Sequence, residues 1–182
     1  VDREKKREEL GIGKDDFLML SVGELSKRKN HQIVIEALAK LKDKKIKYII
    51  CGQGPLKDKL EQLAEKLGVK DQLFLLGFRT DVIEICKSSD LFVFPSLQEG
   101  LPVALMEALA CGLPCVASRI RGNIDLIGDQ ECLFMPNNFK EIEEAMKYAI
   151  GNRPRLIQKY LEVTKFIDRS KINTLMSNIY IH

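Results

Sequence analysis

Apolar residues fall into short continuous runs, separated by stretches in which they recur at helical spacing, from residue 17 to residue 150. The runs are FLMLSVG from Phe17, IKYIICG from Ile46, LFLLG from Leu73, LFVFPS from Leu91, PCVAS from Pro114 and CLFM from Cys132. Because consecutive rather than alternate residues are apolar, they predict strands of a sheet covered on both faces. Strands alternating with helices are the signature of parallel strands joined by crossovers. The fold class is therefore α/β, a Rossmann-like parallel sheet with helices on both faces.

The intervening helices are read from Ile33, Ala37, Leu38 and Leu41, and from Leu56, Leu60, Leu63, Ala64 and Leu67 ahead of the stop signal Gly68. A third is predicted from about Pro102 through Leu105, Met106 and Leu109 to Gly112. A fourth carries Ile142, Ala145, Met146 and Ala149 and starts near Asn138, where Asn138 and Glu141 are predicted to cap reciprocally. After Gly151-Asn152-Arg153-Pro154 the pattern is helical only, over 156–167 and 171–180. Residues 1–152 read as one domain and residues 153–182 as a helical appendage. Phe166, Ile167, Met176 and Tyr180 would give that appendage an apolar surface.

Composition narrows the possibilities. The 182 residues, 45% of them apolar, suffice for one substantial core. With 29 Lys plus Arg against 26 Asp plus Glu, the net charge of +3 is too weak to imply a nucleic-acid partner. No apolar run approaches the roughly 18–20 residues that span a bilayer, and VDREKKREEL lacks a signal-like apolar region, so the chain reads as soluble and cytoplasmic. Charged helical sequence starting at Val1 is read as the boundary of a fragment, with sequence missing upstream. The five cysteines sit mostly in apolar segments and read as small hydrophobes rather than disulfides. Cys111 and Cys115 lack a second pair, and His31 and His182 are distant, so no zinc site is expected.

In a doubly wound sheet ligands bind beyond the carboxyl ends of the strands, and the loops there are rich in glycine and charge. They are GELSKRKN from Gly23, GQGP from Gly52, GFR from Gly77 and SLQEGLP from Ser96. In the last, Glu99-Gly100-Leu101 opens into a helix whose free N–H groups suit a phosphate. Glu107 follows eight residues after Glu99, at most ~12 Å along a helix, about the reach of a sugar-diphosphate-ribose unit. A carboxylate suits a vicinal diol, so Glu107 is a candidate for ribose and Glu99 for a sugar. The same spacing also fits a Glu99 that merely favours the helix terminus and a solvated Glu107.

FPSLQEGLPVALMEALACGLP resembles the glutamate, seven residues, glutamate signature of family-four retaining glycosyltransferases of GT-B architecture. SVGELSKRKNHQIVIEAL, CGQGPLKDKLEQLAEKLG, SSDLFVFPS and IRGNIDLI are similar to that family's C-terminal domain in order and spacing, over about residues 10 to 150. The resemblance implies a nucleotide-sugar donor, UDP-linked, and retention of configuration without a bound metal or other cofactor. It implies Glu99 on the donor sugar, Glu107 on ribose, the backbone of Gly100 and Leu101 facing the diphosphate, and Lys29 on the diphosphate as leaving group. Gly23, Gly52 and Gly54 would border the nucleotide, and Phe78 and Arg79 would lie along the base. Arg28 is a candidate for a second cation, because the family's usual arginine directly after Gly23 is here Glu24. Lys27 and Arg28 match the pattern less well and fit a solvated loop; Arg121-Gly122-Asn123 and Asp125 resemble a loop of polysaccharide-assembling members, although Asp125 suits a turn cap equally.

The acceptor-binding domain of such enzymes is separate and has no room in 182 residues, so the chain alone is expected to bind donor and transfer poorly. The tail would pack on this domain or on that missing one, which could also bring the enzyme to the inner membrane surface. A non-catalytic nucleotide-binding regulatory module remains an alternative. A dinucleotide enzyme is disfavoured because no strand is followed by Gly-x-Gly-x-x-Gly with an acid about twenty residues on.

Overall fold

The computed structural model of the protein describes residues 1–166. Its six strands are β1 (Phe17–Val22), β2 (Ile46–Cys51), β3 (Leu73–Gly77), β4 (Leu91–Phe94), β5 (Cys115–Ser118) and β6 (Leu133–Phe134). Every strand expected from the apolar runs is present. All pair in parallel in the order β3-β2-β1-β4-β5-β6. Leu18, Leu20, Ile49, Phe92, Val93 and Val116 are fully buried, as strands covered on both faces require.

The helices are α1 (Arg3–Glu9), α2 (His31–Leu41), α3 (Lys57–Lys66), α4 (Val82–Ser88), α5 (Val103–Ala110), α6 (Asn123–Leu126), α7 (Phe139–Gly151) and α8 (Arg153–Phe166). The chain steps from β1 out to β3 and then from β4 out to β6, so right-handed crossovers put the two sets of helices on opposite faces. Accordingly α2 packs against α3 and α7, while α1, α4, α5 and α8 form a second packed series. Four of these helices follow the apolar periodicity. The short α4 and α6 were not anticipated.

Two boundaries differ from expectation. Asn138 caps α7, accepting from the N–H groups of Lys140 and Glu141, and Glu141 reciprocates through the side chain rather than the backbone: Oε1 accepts from Asn138 Nδ2 at 3.0 Å and Oε2 from the Met135 N–H. The Asn138 N–H is already bonded to the Met135 carbonyl. The first helix of the appendage begins at Arg153 rather than Leu156, because Pro154 falls in the first turn, where no intrahelical donor is needed. Ile167 and the stretch 171–180, with Met176 and Tyr180, lie outside the described residues. Among the described residues no helix is long and apolar enough to cross a membrane.

At the amino end of β4, Asp90 collects three arginines. Its carboxylate meets Arg3 at 2.6 Å, Arg7 at 3.2 Å and Arg153 at 3.1 Å, and accepts the Leu18 N–H at 2.8 Å. The arginines also donate to the carbonyls of Lys87, Ser88 and Ser89, which close α4. One carboxylate thus joins α1, the sheet and α8.

His31 at the start of α2 is 2% exposed, with Nε2 3.2 Å from the Glu24 carbonyl. Burial pushes its pKa down from 6.5 to about 4, with Lys29 adding to the fall. Below 6.5 the unfolded chain binds a proton that the folded chain refuses, so this contribution to stability is complete above 6.5 and lost as pH falls towards 4. Between pH 7 and pH 5 the loss is expected to be about 2 kcal/mol. Urea midpoints for the unsubstituted chain and His31→Gln at both pH values check it; equal pH dependence in the two would refute it.

Candidate functional site

The strand order reverses between β1 and β4, and the crevice at such a switch point opens beyond the carboxyl ends of those two strands. The loops that line it are 23–30 and 95–102. They are joined by backbone and side chain: the Leu97 N–H bonds the Arg28 carbonyl at 2.9 Å, and Asn30 Nδ2 donates to the Pro95 carbonyl at 3.1 Å and the Pro136 carbonyl at 2.9 Å. Asn30 holds a left-handed backbone, φ 60°, which asparagine tolerates better than most residues.

These ties bring Lys29 and Glu99 together. Lys29 Nζ lies 2.5 Å from Glu99 Oε1 and 5.5 Å from the centre of the Phe94 ring, and its stem runs along Gly23. The same oxygen accepts from Ser96 Oγ at 2.7 Å, while Arg28 Nη1 stands 3.8 Å from Oε2. The Glu99 side chain is 6% exposed and Arg28 is 51% exposed. Glu24 and Lys27 both point to solvent. Gly100 and Leu101 are exposed just ahead of α5, where Val103 N–H turns back to the Leu101 carbonyl. The result is a cation and a carboxylate side by side at a helix start, able to receive an anion and a hydroxyl respectively.

The other expected residues gather in an adjoining cavity of about 430 Å³, lined by Gly23, Cys51, Gly52, Phe78, Arg79 and Glu107 among others. Phe78 is 73% exposed on its rim. Arg79 is braced: Nε and Nη2 bind Asp81 at 2.8 and 2.7 Å, and Nη2 also approaches Glu9 at 3.4 Å. The Arg79 guanidinium holds the Asp81 carboxyl far below the usual carboxylate range. Cys51 contributes a neutral thiol to the wall, its pKa pushed up to about 11 by burial.

Gly52 and Gly54 owe their identity to the protein's own backbone. At Gly52, φ 150°, an added Cβ would lie 1.9 Å from the Gly23 carbonyl oxygen, and at Gly54 it would lie 2.5 Å from that of Leu25. Gly54 borders a neighbouring cavity with Leu25, Lys57 and Gly77, which shares Gly52 with the first and is not lined by Glu107. Asn30 and Ser96 carry no motif of their own: the Asn30 partners Pro95 and Pro136 are brought close only by the sheet, and Ser96 combines the local Glu99 with Ser118, 22 residues on. Arg121 and Asp125 are exposed, whereas Asn123 is fully buried. Cys111 lies at the end of α5 and Cys115 in β5. Among the described residues no group of three or more His, Cys, Asp or Glu is placed to hold a metal ion.

Comparison with known proteins agrees with this geometry. The chain is 36% identical over 130 residues to the Escherichia coli UDP-Gal:alpha-D-GlcNAc-diphosphoundecaprenol alpha-1,3-galactosyltransferase, covering 69% of this chain and 34% of that one. It is 32% identical over 178 residues to the E. coli O-antigen biosynthesis glycosyltransferase WclY, covering 96% and 49%. Its fold matches Anabaena HepE, solved in complex with UDP, with a TM-score of 0.85 at 24% identity, covering 98% of this chain and 52% of that one. The chain thus spans about a third to a half of the length of these proteins. The family model described as "Glycosyl transferases group 1" matches residues 2–177, and with the parallel sheet and the paired glutamates at its switch point, the chain belongs to that family, of GT-B type.

Proposed function

We infer that this chain is the donor-binding domain of a retaining glycosyltransferase, which moves a sugar from a nucleoside diphosphate, UDP-linked, to a hydroxyl acceptor in polysaccharide or glycoconjugate synthesis. The observation that carries the reading is the placement of Lys29, Glu99 and the start of α5 at the switch point, beside a cavity that contains Glu107. The UDP-Gal in the name of the galactosyltransferase relative and the UDP held by HepE support a uridine donor.

In this reading Glu107 takes the ribose hydroxyls and Glu99 the hydroxyls of the transferred sugar. Lys29 and the amides at Gly100 and Leu101 face the diphosphate and offset the charge that develops as the nucleotide departs. That electrostatic part is assigned to the protein itself, with no metal or other cofactor. A donor phosphate oxygen, rather than a side chain of this domain, helps remove the acceptor proton. Arg28, 3.8 Å from Glu99, supplies the second cation that Glu24 does not. A separate domain holds the acceptor.

Calorimetric titration of the chain with UDP, GDP, ADP and NAD tests the reading. UDP is expected to bind most tightly, and Glu107→Ala to weaken it about tenfold through loss of charge-assisted hydrogen bonds to ribose. Absence of nucleoside diphosphate binding, or unchanged affinity in Glu107→Ala, would overturn it.

A further inference from the structure

The carboxylate of Glu99 is the near end of a buried chain of hydrogen bonds that reaches the neighbouring strand β5 and, beyond it, α6. Asn123, at the start of α6, donates from Nδ2 to the Ser118 carbonyl at 3.1 Å and to Ser118 Oγ at 3.3 Å. Ser118 Oγ donates in turn to the Ser96 carbonyl at 2.6 Å, and Ser96 Oγ donates to Glu99 Oε1 at 2.7 Å. Ser96, Ser118 and Asn123 are each 0% exposed, so no water competes for these groups.

The peptide between Ser96 and Leu97 is held at both ends. Its carbonyl takes the Ser118 hydroxyl from the β5 side, and its N–H gives to the Arg28 carbonyl on the β1 side at 2.9 Å. A peptide plane gripped from both flanks of the switch point cannot rotate without breaking a buried hydrogen bond, at a cost of about 1–3 kcal/mol. The backbone that carries the Ser96 hydroxyl is therefore fixed, and from it the hydroxyl meets Glu99 Oε1. Glu99 Oε1 is then committed to both Ser96 and Lys29, which leaves Oε2 as the oxygen available to a ligand hydroxyl.

We propose that Ser118 and Asn123 are positioning residues for donor-sugar recognition, acting through Ser96 to fix which oxygen of Glu99 faces the sugar. The proposal rests on the assignment of Glu99 to the sugar end of the donor. It predicts an effect strongest at that end: the chain meets the groups assigned to the uridine diphosphate portion at Lys29, which shares Glu99 Oε1 with Ser96 and would keep its own contact with that oxygen when the Ser96 bond is lost.

The test compares affinities for UDP and for UDP-glucose, UDP-galactose and UDP-N-acetylglucosamine on the same protein, so that any loss of folded material cancels from the ratio. Ser118→Thr and Ser118→Val add the same bulk and differ in the hydroxyl. Ser118→Val and Asn123→Ala are expected to lower UDP-sugar affinity relative to UDP by about tenfold, the worth of one such hydrogen bond, with UDP affinity changed less than twofold. Ser118→Thr is expected to keep the original ratio. A parallel fall in UDP and UDP-sugar affinity, equal ratios in the Thr and Val variants, or an unchanged ratio where Glu99→Ala alters it overturns the positioning role. If Glu99→Ala itself leaves the ratio unchanged, the assignment of Glu99 to the sugar is wrong and the positioning role falls with it.

Discussion

Lys29→Ala is expected to weaken UDP binding by about 100-fold, the loss of a strong charge-assisted contact to phosphate. The side chain is pre-set for that contact. Its stem is packed against Gly23, its ammonium sits 5.5 Å from the Phe94 ring centre, and Glu99 holds it at 2.5 Å. Truncation also leaves the Glu99 carboxylate, 6% exposed, without its nearest cation, so like charges would then face an incoming diphosphate. Arg28→Ala is expected to cost far less, because that side chain is 51% exposed and 3.8 Å from the carboxylate. Calorimetry on the two variants separates them; UDP affinity in Lys29→Ala within twofold of the unsubstituted chain would remove Lys29 from the site.

The second large effect lies at the other end of the sheet. Asp90→Ala is expected to destabilise the fold by about 3 kcal/mol, near the lower bound for breaking a buried ion pair, since Arg3 and Arg153 retain contact with water. Arg7 cannot escape in this way: its side chain is 5% exposed and would keep only carbonyl partners. The Leu18 N–H would lose its acceptor as well. Asp90→Asn retains an acceptor for that N–H and is expected to lose less. Urea unfolding gives both values, and UDP affinity of the folded variants should stay unchanged. A change below about 0.5 kcal/mol, typical of an ordinary surface substitution, would show that the arginines do not depend on Asp90.

What the sequence disclosed follows from the range of each signal. A run such as LFVFPS declares a buried strand within six residues, and Pro102 and Gly112 bracket α5 locally. The seven-residue α4, VIEICKS, offers too few turns for a period to emerge. Lys29 and Glu99 are 70 residues apart; the strand pattern put their loops at one end of the sheet, and the family pattern singled out the two residues within those loops. Asn30 had no such pointer, because its partners Pro95 and Pro136 are 65 and 106 residues away. The turn at Gly52 and Gly54 was readable as a turn, but the cause of its glycines was not: it lies in the neighbouring Gly23–Leu25 backbone. Arg153 gave no hint that a carboxylate before β4 would anchor α8.

The uniform direction of the six strands has a practical consequence. Every carboxyl end opens on the face that carries Lys29, Glu99 and Glu107, while the Asp90 cluster closes the opposite face. Changes at sites farther apart than about 10 Å with no shared partners combine nearly additively. An engineer could therefore reinforce the amino-end face first, building a reserve of stability, and then spend that reserve on loop libraries at the carboxyl-end face to retune which sugar nucleotide is accepted.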